Sequence, residues 1–217
     1  LVGSEMCIRD RDWGNATATV RWNHILNDRT NINTSAVFSN YYYRYKSLAD
    51  GLQYLWKSDM QSYQLKSDWE THLNNSLSLK TGVSAHFFTT MPGSVEKYGD
   101  ESNVVPSRLP KKTLWDIALY AEGEYKFLSR FQLNAGVRLS VLCAPSSSSY
   151  GAKTYVVPEP RAELSYTLNP SNRITVSYTQ AAQSIHMLSN SSVGIPSDMW
   201  IPANALLLSL IHISEPT

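Results

Sequence analysis

The sequence has no long hydrophobic run. Its mean hydropathy is −0.29, and no stretch reaches the ~20 consecutive apolar residues that a membrane-spanning helix requires. The apolar segment from Ala205 to Ile213 falls well short of it. With 13 Tyr and 6 Trp present, a negative hydropathy fits a barrel with a polar lumen better than a helical membrane protein. Cysteine is scarce: Cys7 and Cys143 are the two present, so no disulfide framework staples the chain. An excess of one charge is missing too. Nineteen basic and 18 acidic residues give a formal net charge of +1, which excludes the basic footprint of a nucleic-acid-binding protein. The signatures of enzyme chemistry are absent as well, with neither a phosphate-cradling glycine loop nor a nucleophile elbow. His24, His72, His86 and His186 fall on four separate segments, whereas zinc sites need three or four converging ligands. No metal, no other cofactor and no catalytic activity are expected.

What the sequence does have is alternation. From Trp115 the odd positions read Trp115, Ile117, Leu119, Ala121, Gly123, Tyr125 and Phe127, while Asp116, Ala118, Tyr120, Glu122, Glu124 and Lys126 lie between them. After a break at 128–130 the phase resumes. Phe131, Leu133, Ala135, Val137, Leu139 and Val141 then alternate with Gln132, Asn134, Gly136, Arg138 and Ser140. Side chains in a strand point to opposite faces with period two. The stretch from Leu114 to Val141 is thus a hairpin with one apolar and one charged face. Its strands are about twice the usual soluble length of 5–6 residues, and aromatics stand at both ends of the apolar face. That is the pattern of an outer-membrane barrel strand, apolar toward lipid and polar toward a wet lumen.

Six further strands read the same way. Asn15 to Ile25 and Asn31 to Tyr45 flank a turn at Asn27-Asp28-Arg29. The phase of the second is ambiguous: Ile32, Ala36 and Phe38 share one face, while Val37, Tyr41, Tyr43 and Tyr45 share the other. A bulge or a strand top protruding from the membrane would account for that. A loop is expected from Lys46 to Asp59. Tyr63 to Leu73 and Leu77 to Phe87 flank Asn74-Asn75-Ser76, and a long loop follows from Thr89 to Lys112. After a Ser-rich loop, Leu142 to Thr154, come Tyr155 to Leu168 and a last strand from Arg173 to Leu188, joined by a turn at 169–172. Pro158 and Pro160 sit at the start of the former, where a missing donor costs least. A final loop is expected from Ser189 to Asn204. Short turns near 28, 75, 129 and 170 alternate with long connections, which is the periplasmic-turn, extracellular-loop arrangement. The expected fold is all-β: an antiparallel, up-and-down transmembrane barrel wall of about eight strands taken from a larger barrel, hence open.

The two ends read differently. A DNA stretch that encodes Leu1 to Asp10 also encodes Leu208 to Thr217 when read from its opposite strand. The ends resemble a transposase sequencing adapter and its inverted copy. Residues 1–11 and 208–217 are therefore expected to be adapter-derived, leaving 12–207 as partial barrel.

The run VPEPRAELSY (Val157 to Tyr166), followed by SNRITVSYTQAAQSIHMLSNSSVGIPSDMWIP, resembles the barrel of TonB-dependent outer-membrane receptors of the Bacteroidetes type. WGNATATVRWNHILNDRTNINTSAVFSNYYYRY and LYAEGEYKFLSRFQLNAGVRLS resemble other hairpins of the same barrels. The resemblance covers nearly all of Asp12 to Asn204 and is most specific from Gln183 to Pro202. It implies location in the outer membrane of a Gram-negative bacterium. It also implies uptake of a bulky ligand, energised from the inner membrane. The partners it implies are outer-membrane lipid, the barrel's own plug domain and remaining strands, the TonB complex, and a small-molecule, glycan or peptide ligand. A passive porin or adhesin barrel is the alternative, with a soluble β-sandwich binding module behind it.

Candidate site residues follow from strand phase. Glu122, Glu124, Arg138, Glu159, Arg161 and Glu163 are expected to face the lumen, where they serve as an ion network or meet a passing ligand. His186, Asp198 and Trp200 are expected near or in an extracellular loop, where a rigid scaffold presents recognition residues. On the other face, Leu79, Leu119, Leu133 and Val137 are expected to meet lipid.

Overall fold

The computed structural model describes residues 9–49, 52–99, 102–128, 130–144, 153–190 and 197–202. Its strands are β1 (Arg9–Asn27), β2 (Thr30–Ala49), β3 (Leu52–His72), β4 (Leu77–Lys97), the short β5 (Ser107–Arg108), β6 (Lys112–Phe127), β7 (Phe131–Ala144), β8 (Lys153–Asn169), β9 (Asn172–Thr179), β10 (Ile185–Asn190) and β11 (Ser197–Pro202). Eight of them form a meander in the order β1-β2-β3-β4-β6-β7-β8-β9, and β5 adds to β4. Every neighbouring pair is antiparallel. β1 and β9 end the path without pairing to each other, so the sheet is open. β10 and β11 form a separate hairpin.

Asparagine builds three of the tight turns. Asn27 Oδ1 accepts the Arg29 N–H at 2.9 Å, Asn74 Oδ1 accepts from Ser76 and Leu77 at 2.8 Å each, and Asn169 Oδ1 accepts the Ser171 N–H at 3.0 Å. Each is an Asx turn, in which a short side chain stands in for a backbone acceptor. The fourth turn instead places Leu128 at φ 49°, a region that non-glycine residues enter at a cost of about 1–2 kcal/mol.

One face of the sheet is inside. Leu114 and Ala118 are each 1% exposed, whereas their neighbour Leu119 is 62% exposed. Among the described residues the one other sheet is the two-stranded β10–β11, which lies against β3, β4 and β6 and is too small to be the facing layer of a sandwich. A layer with so little packed on it buries most of one face by curving toward it. Leu114, Ala118, Ser84, Ser140 and Ser165 lie on the curved-in face. Val20, Trp22, Leu65, Leu119, Leu133, Val137 and Val176 lie on the other.

The outer face carries two aromatic rows. Phe38, Tyr63, Phe87 and Trp115 are paired in register across four strands, with successive centroids 5.0, 6.3 and 4.6 Å apart. Tyr125, Phe127, Phe131 and Tyr166 form the second row at 5.6, 5.2 and 4.5 Å. The ten residue steps from Trp115 to Tyr125 span about 33 Å of strand. At a tilt of ~40° that is about 25 Å along a barrel axis, the height of the apolar band of outer-membrane barrels.

The structure departs from the sequence reading above the upper row. The expected loop from Lys46 to Asp59 is mostly strand, the continuation of β2 and β3, whose register runs unbroken from Thr30↔Thr71 to Ala49↔Leu52. There is no bulge in β2, and its mixed phase belongs to a protruding strand top. Much of the loop from Thr89 to Lys112 is likewise strand, as β4 continues to Lys97 and Ser107–Arg108 folds back on it. Inward-pointing aromatics hold these extensions: Tyr43, Tyr45 and Tyr54 are buried together, with Tyr41, Trp56, Val95 and Val104 against them. The last strand is shorter than expected, since β9 stops at Thr179 and Gln180 to Ser184 are not strand. The final loop contains β11. At the front, β1 runs back through Arg9, Asp10 and Arg11. Residues 1–8 and 203–217, which carry the rest of the expected adapter-derived ends, lie outside the described residues.

Candidate functional site

The inner face is organised in rows, because each residue stands opposite one partner on each neighbouring strand. The central row runs Asp68, Gly82, Tyr120, Arg138, Glu159 across β3, β4, β6, β7 and β8. Gly82 makes its continuity possible. A Cβ there would lie 2.3 Å from Tyr120 Oη and 2.6 Å from the Ser67 carbonyl oxygen. With only hydrogen in that place, the Tyr120 ring lies across Gly82 and its hydroxyl donates to Asp68 Oδ1 at 2.5 Å. Lys66 Nζ sits 2.9 Å from Asp68 Oδ2. Arg138 lies over the same ring, 5.8 Å from its centroid.

Arg138 is the hub of this face. Its Nε lies 3.5 Å from Glu159 Oε2 and donates to Ser140 Oγ at 3.1 Å. Its Nη2 reaches Ser84 Oγ at 3.2 Å. Ser84, Ala118 and Ser140 stand in one row, so the guanidinium spans β6 by passing over Ala118, which has the smallest side chain available short of glycine. The next row repeats the device. Glu122, Gly136 and Arg161 are in register, and Arg161 Nη1 reaches Glu122 Oε2 at 3.5 Å across Gly136. A Cβ on Gly136 would meet the Ala121 carbonyl oxygen at 2.7 Å. In the row below, Asn134 donates to Glu163 at 3.2 Å, and Glu124 pairs along its own strand with Lys126 at 2.9 Å.

All six residues picked from alternation, Glu122, Glu124, Arg138, Glu159, Arg161 and Glu163, therefore stand on the inner face. Arg138 joins Glu159 and Arg161 joins Glu122, while Glu124 and Glu163 stand two strands apart with Asn134 between them. Sequence reasoning did not single out Lys66, Asp68 and Tyr120, which complete the central row, nor the glycines that let it close. Beside that row, Arg21, Asn33, Ser35, Lys66, Asp68, Glu70 and Lys80 line a basin of about 370 Å³ with mixed charge.

His186, Asp198 and Trp200 are not in an open loop. They pair with Ile201, Ser189 and Met187 in the β10–β11 hairpin. That hairpin lies against β3, β4 and β6, and Ile185 at its base packs on Phe88 and Leu114 of the inner face. Among the described residues, no three His, Cys, Asp or Glu side chains are grouped as metal ligands would be.

Comparison with known proteins agrees with this geometry. The family described as TonB dependent receptor-like, beta-barrel matches residues 7–203. No curated protein matches the chain by sequence. Among solved structures, the sheet is similar to BauA, the ferric preacinetobactin receptor of Acinetobacter baumannii, at TM-score 0.65 and 12% identity, over 89% of this chain and 34% of that one. It is also similar to the ferric-catecholate import receptor Fiu of E. coli K12 in its open form, at TM-score 0.58 and 16% identity, over 80% and 36%. A third likeness is to the copper transporter OprC, at TM-score 0.61 and 12% identity, over 74% and 30%. The chain thus spans about a third of the length of each.

Proposed function

The chain belongs to the TonB-dependent receptor-like β-barrel family, and we propose that it forms part of the wall of a transporter that draws a bulky ligand across the outer membrane with energy coupled from the inner membrane. The family is one of outer-membrane receptors and transporters of Gram-negative bacteria, not of enzymes. The observation that carries the proposal is the combination of an open sheet, an outer apolar band between aromatic rows, and an inner face of charged rows. A wall of this kind needs partners: further strands to close it, a plug to fill it and a TonB complex to drive it. On this reading Glu122, Glu124, Arg138, Glu159, Arg161 and Glu163 meet the plug or the passing ligand, and His186, Asp198 and Trp200 meet the ligand at the mouth.

The relatives' names cite ferric catecholate, ferric preacinetobactin and copper, so the family tolerates different cargoes behind similar walls. For this chain we infer a small-molecule, glycan or peptide ligand too large for passive diffusion. Within the family we place it with the Bacteroidetes type on the segment Gln183 to Pro202, and we take residues 1–11 and 208–217 as adapter-derived. The complete gene tests these readings. Sequence encoding a plug upstream of Asp12 and an outer-membrane product are expected. A signal peptide leading straight into strands would favour a passive barrel, and a soluble full-length product would sink both barrel readings.

A further inference from the structure

The chain leaves the sheet abruptly after Thr179, and β8 shows why. The Pro160 carbonyl accepts the Gln180 N–H at 3.0 Å, so residue 160 turns its backbone toward β9, and residue 158, two further along the strand, does the same. Both are proline and have no N–H to give. A longer β9 would find two donors missing in succession. Between the two prolines stands Glu159, which points inward. Its Oε1 accepts the Ala182 N–H at 3.0 Å, while its other oxygen faces Arg138. Gln183 Nε2 donates to the Ile185 carbonyl at 2.7 Å, which tightens the bend, and Ile185 then seats on Phe88 and Leu114. The segment after β9 is thus refused by the sheet edge and captured by an inner-face carboxylate.

We propose that β10–β11 is an inward-folded strap across the mouth of the barrel, latched at Ala182 by Glu159. Arg138 acts as the positioning residue that holds Glu159 on the latch. The latch is the far end of the row that begins at Lys66, Asp68 and Tyr120, so whatever engages that row from within the barrel acts on the strap through Arg138. This rests on reading the inner face as the lumen. The strap is His186-, Asp198- and Trp200-bearing, so its position also sets where those residues meet a ligand.

The test uses the intact receptor, refolded in detergent micelles, with Cys143→Ser and cysteines introduced by Leu114→Cys and Ile185→Cys. The rate of disulfide formation under mild oxidant reports how often the strap is seated, and heat-modifiable migration on gels reports a closed barrel. The cross-link should form readily in this background. Ala182→Pro, which removes the donated N–H at a position outside every strand while also fixing φ there, should slow it at least about tenfold, the scale of one hydrogen bond to a charged group. Glu159→Ala should do the same. Glu159→Gln, which keeps an acceptor but sheds the charge, should slow it less. A heat-modifiable barrel that forms no cross-link, or one whose rate is the same with Ala182→Pro, would overturn the strap. A product that never shows heat-modifiable migration would overturn the lumen reading instead.

Discussion

The lower and upper halves of the same strands obey opposite rules. Between the aromatic rows, β2 and β3 put Ile32, Ala36, Phe38, Leu65 and Trp69 outward, and Asn33, Ser35, Lys66 and Asp68 inward. Above the row of Phe38, Tyr63, Phe87 and Trp115 the assignment inverts. Tyr41, Tyr43, Tyr45, Tyr54 and Trp56 now point inward, while Arg44, Lys46, Lys57 and Asp59 point outward. No residue is inserted or skipped in the β2–β3 ladder to bring this about. The strand keeps its phase and the solvent changes. Where the outer face meets lipid the apolar residues go out. Where both faces are wet, a free-standing sheet must bury its apolar residues within its own curve.

The largest expected effect tests the upper half. Tyr45 is 2% exposed, and Tyr45→Ala should cost about 3–5 kcal/mol, as for other large aromatics cut from a core. Urea titration of the intact protein in lipid vesicles would measure it. If Tyr45 proves silent, the upper half does not bury its own core. The lower half is tested by Leu119→Arg, expected to cost about 2–4 kcal/mol near the bilayer midplane, against a mild Glu122→Arg on the other face. Equal losses in vesicle refolding would show the facing to be wrong. Gly82→Ala should cost about 1–3 kcal/mol by overpacking, since the new methyl collides with Tyr120. In a double-mutant cycle its loss should shrink when Tyr120 is already alanine, and additive losses would break the central row. Asn74→Ala removes the acceptor for two N–H groups and should cost about 1 kcal/mol in the same titration. The smallest effect is Arg44→Leu. In the band such a change of polarity would matter, but above it the effect should stay within about 0.5 kcal/mol.

This inversion explains what could be read from the residues alone. β6 and β7 lie almost wholly between the rows, so one rule holds along their length and alternation gave both strand and facing. β2 crosses the upper row near Phe38, and its pattern changes sense there, which read as ambiguity. The strand tops beyond it read as loop because their polar outer residues resemble loop composition. Register was legible only across tight turns. A turn centred on Asn75 sets Asp68 opposite Gly82, and one centred on residue 129 sets Tyr120 opposite Arg138. Long connections set no such arithmetic, so the pairing of Arg138 with Glu159, and of Gly82 with Tyr120, needed the structure. The exit of the chain at Thr179 was hidden for a related reason. Pro158 and Pro160 were visible, but which neighbour they face was not.

The two aromatic rows also fix how the barrel meets bilayers of different thickness. A helix answers a thicker membrane by tilting less. A wall of hydrogen-bonded strands has its tilt set by its register and cannot follow. The lipid must then stretch or compress to meet rows about 25 Å apart, at a fraction of a kcal/mol for each ångström of mismatch. Insertion should therefore be fastest into vesicles of short-chain phosphatidylcholine and should slow with each added pair of methylenes.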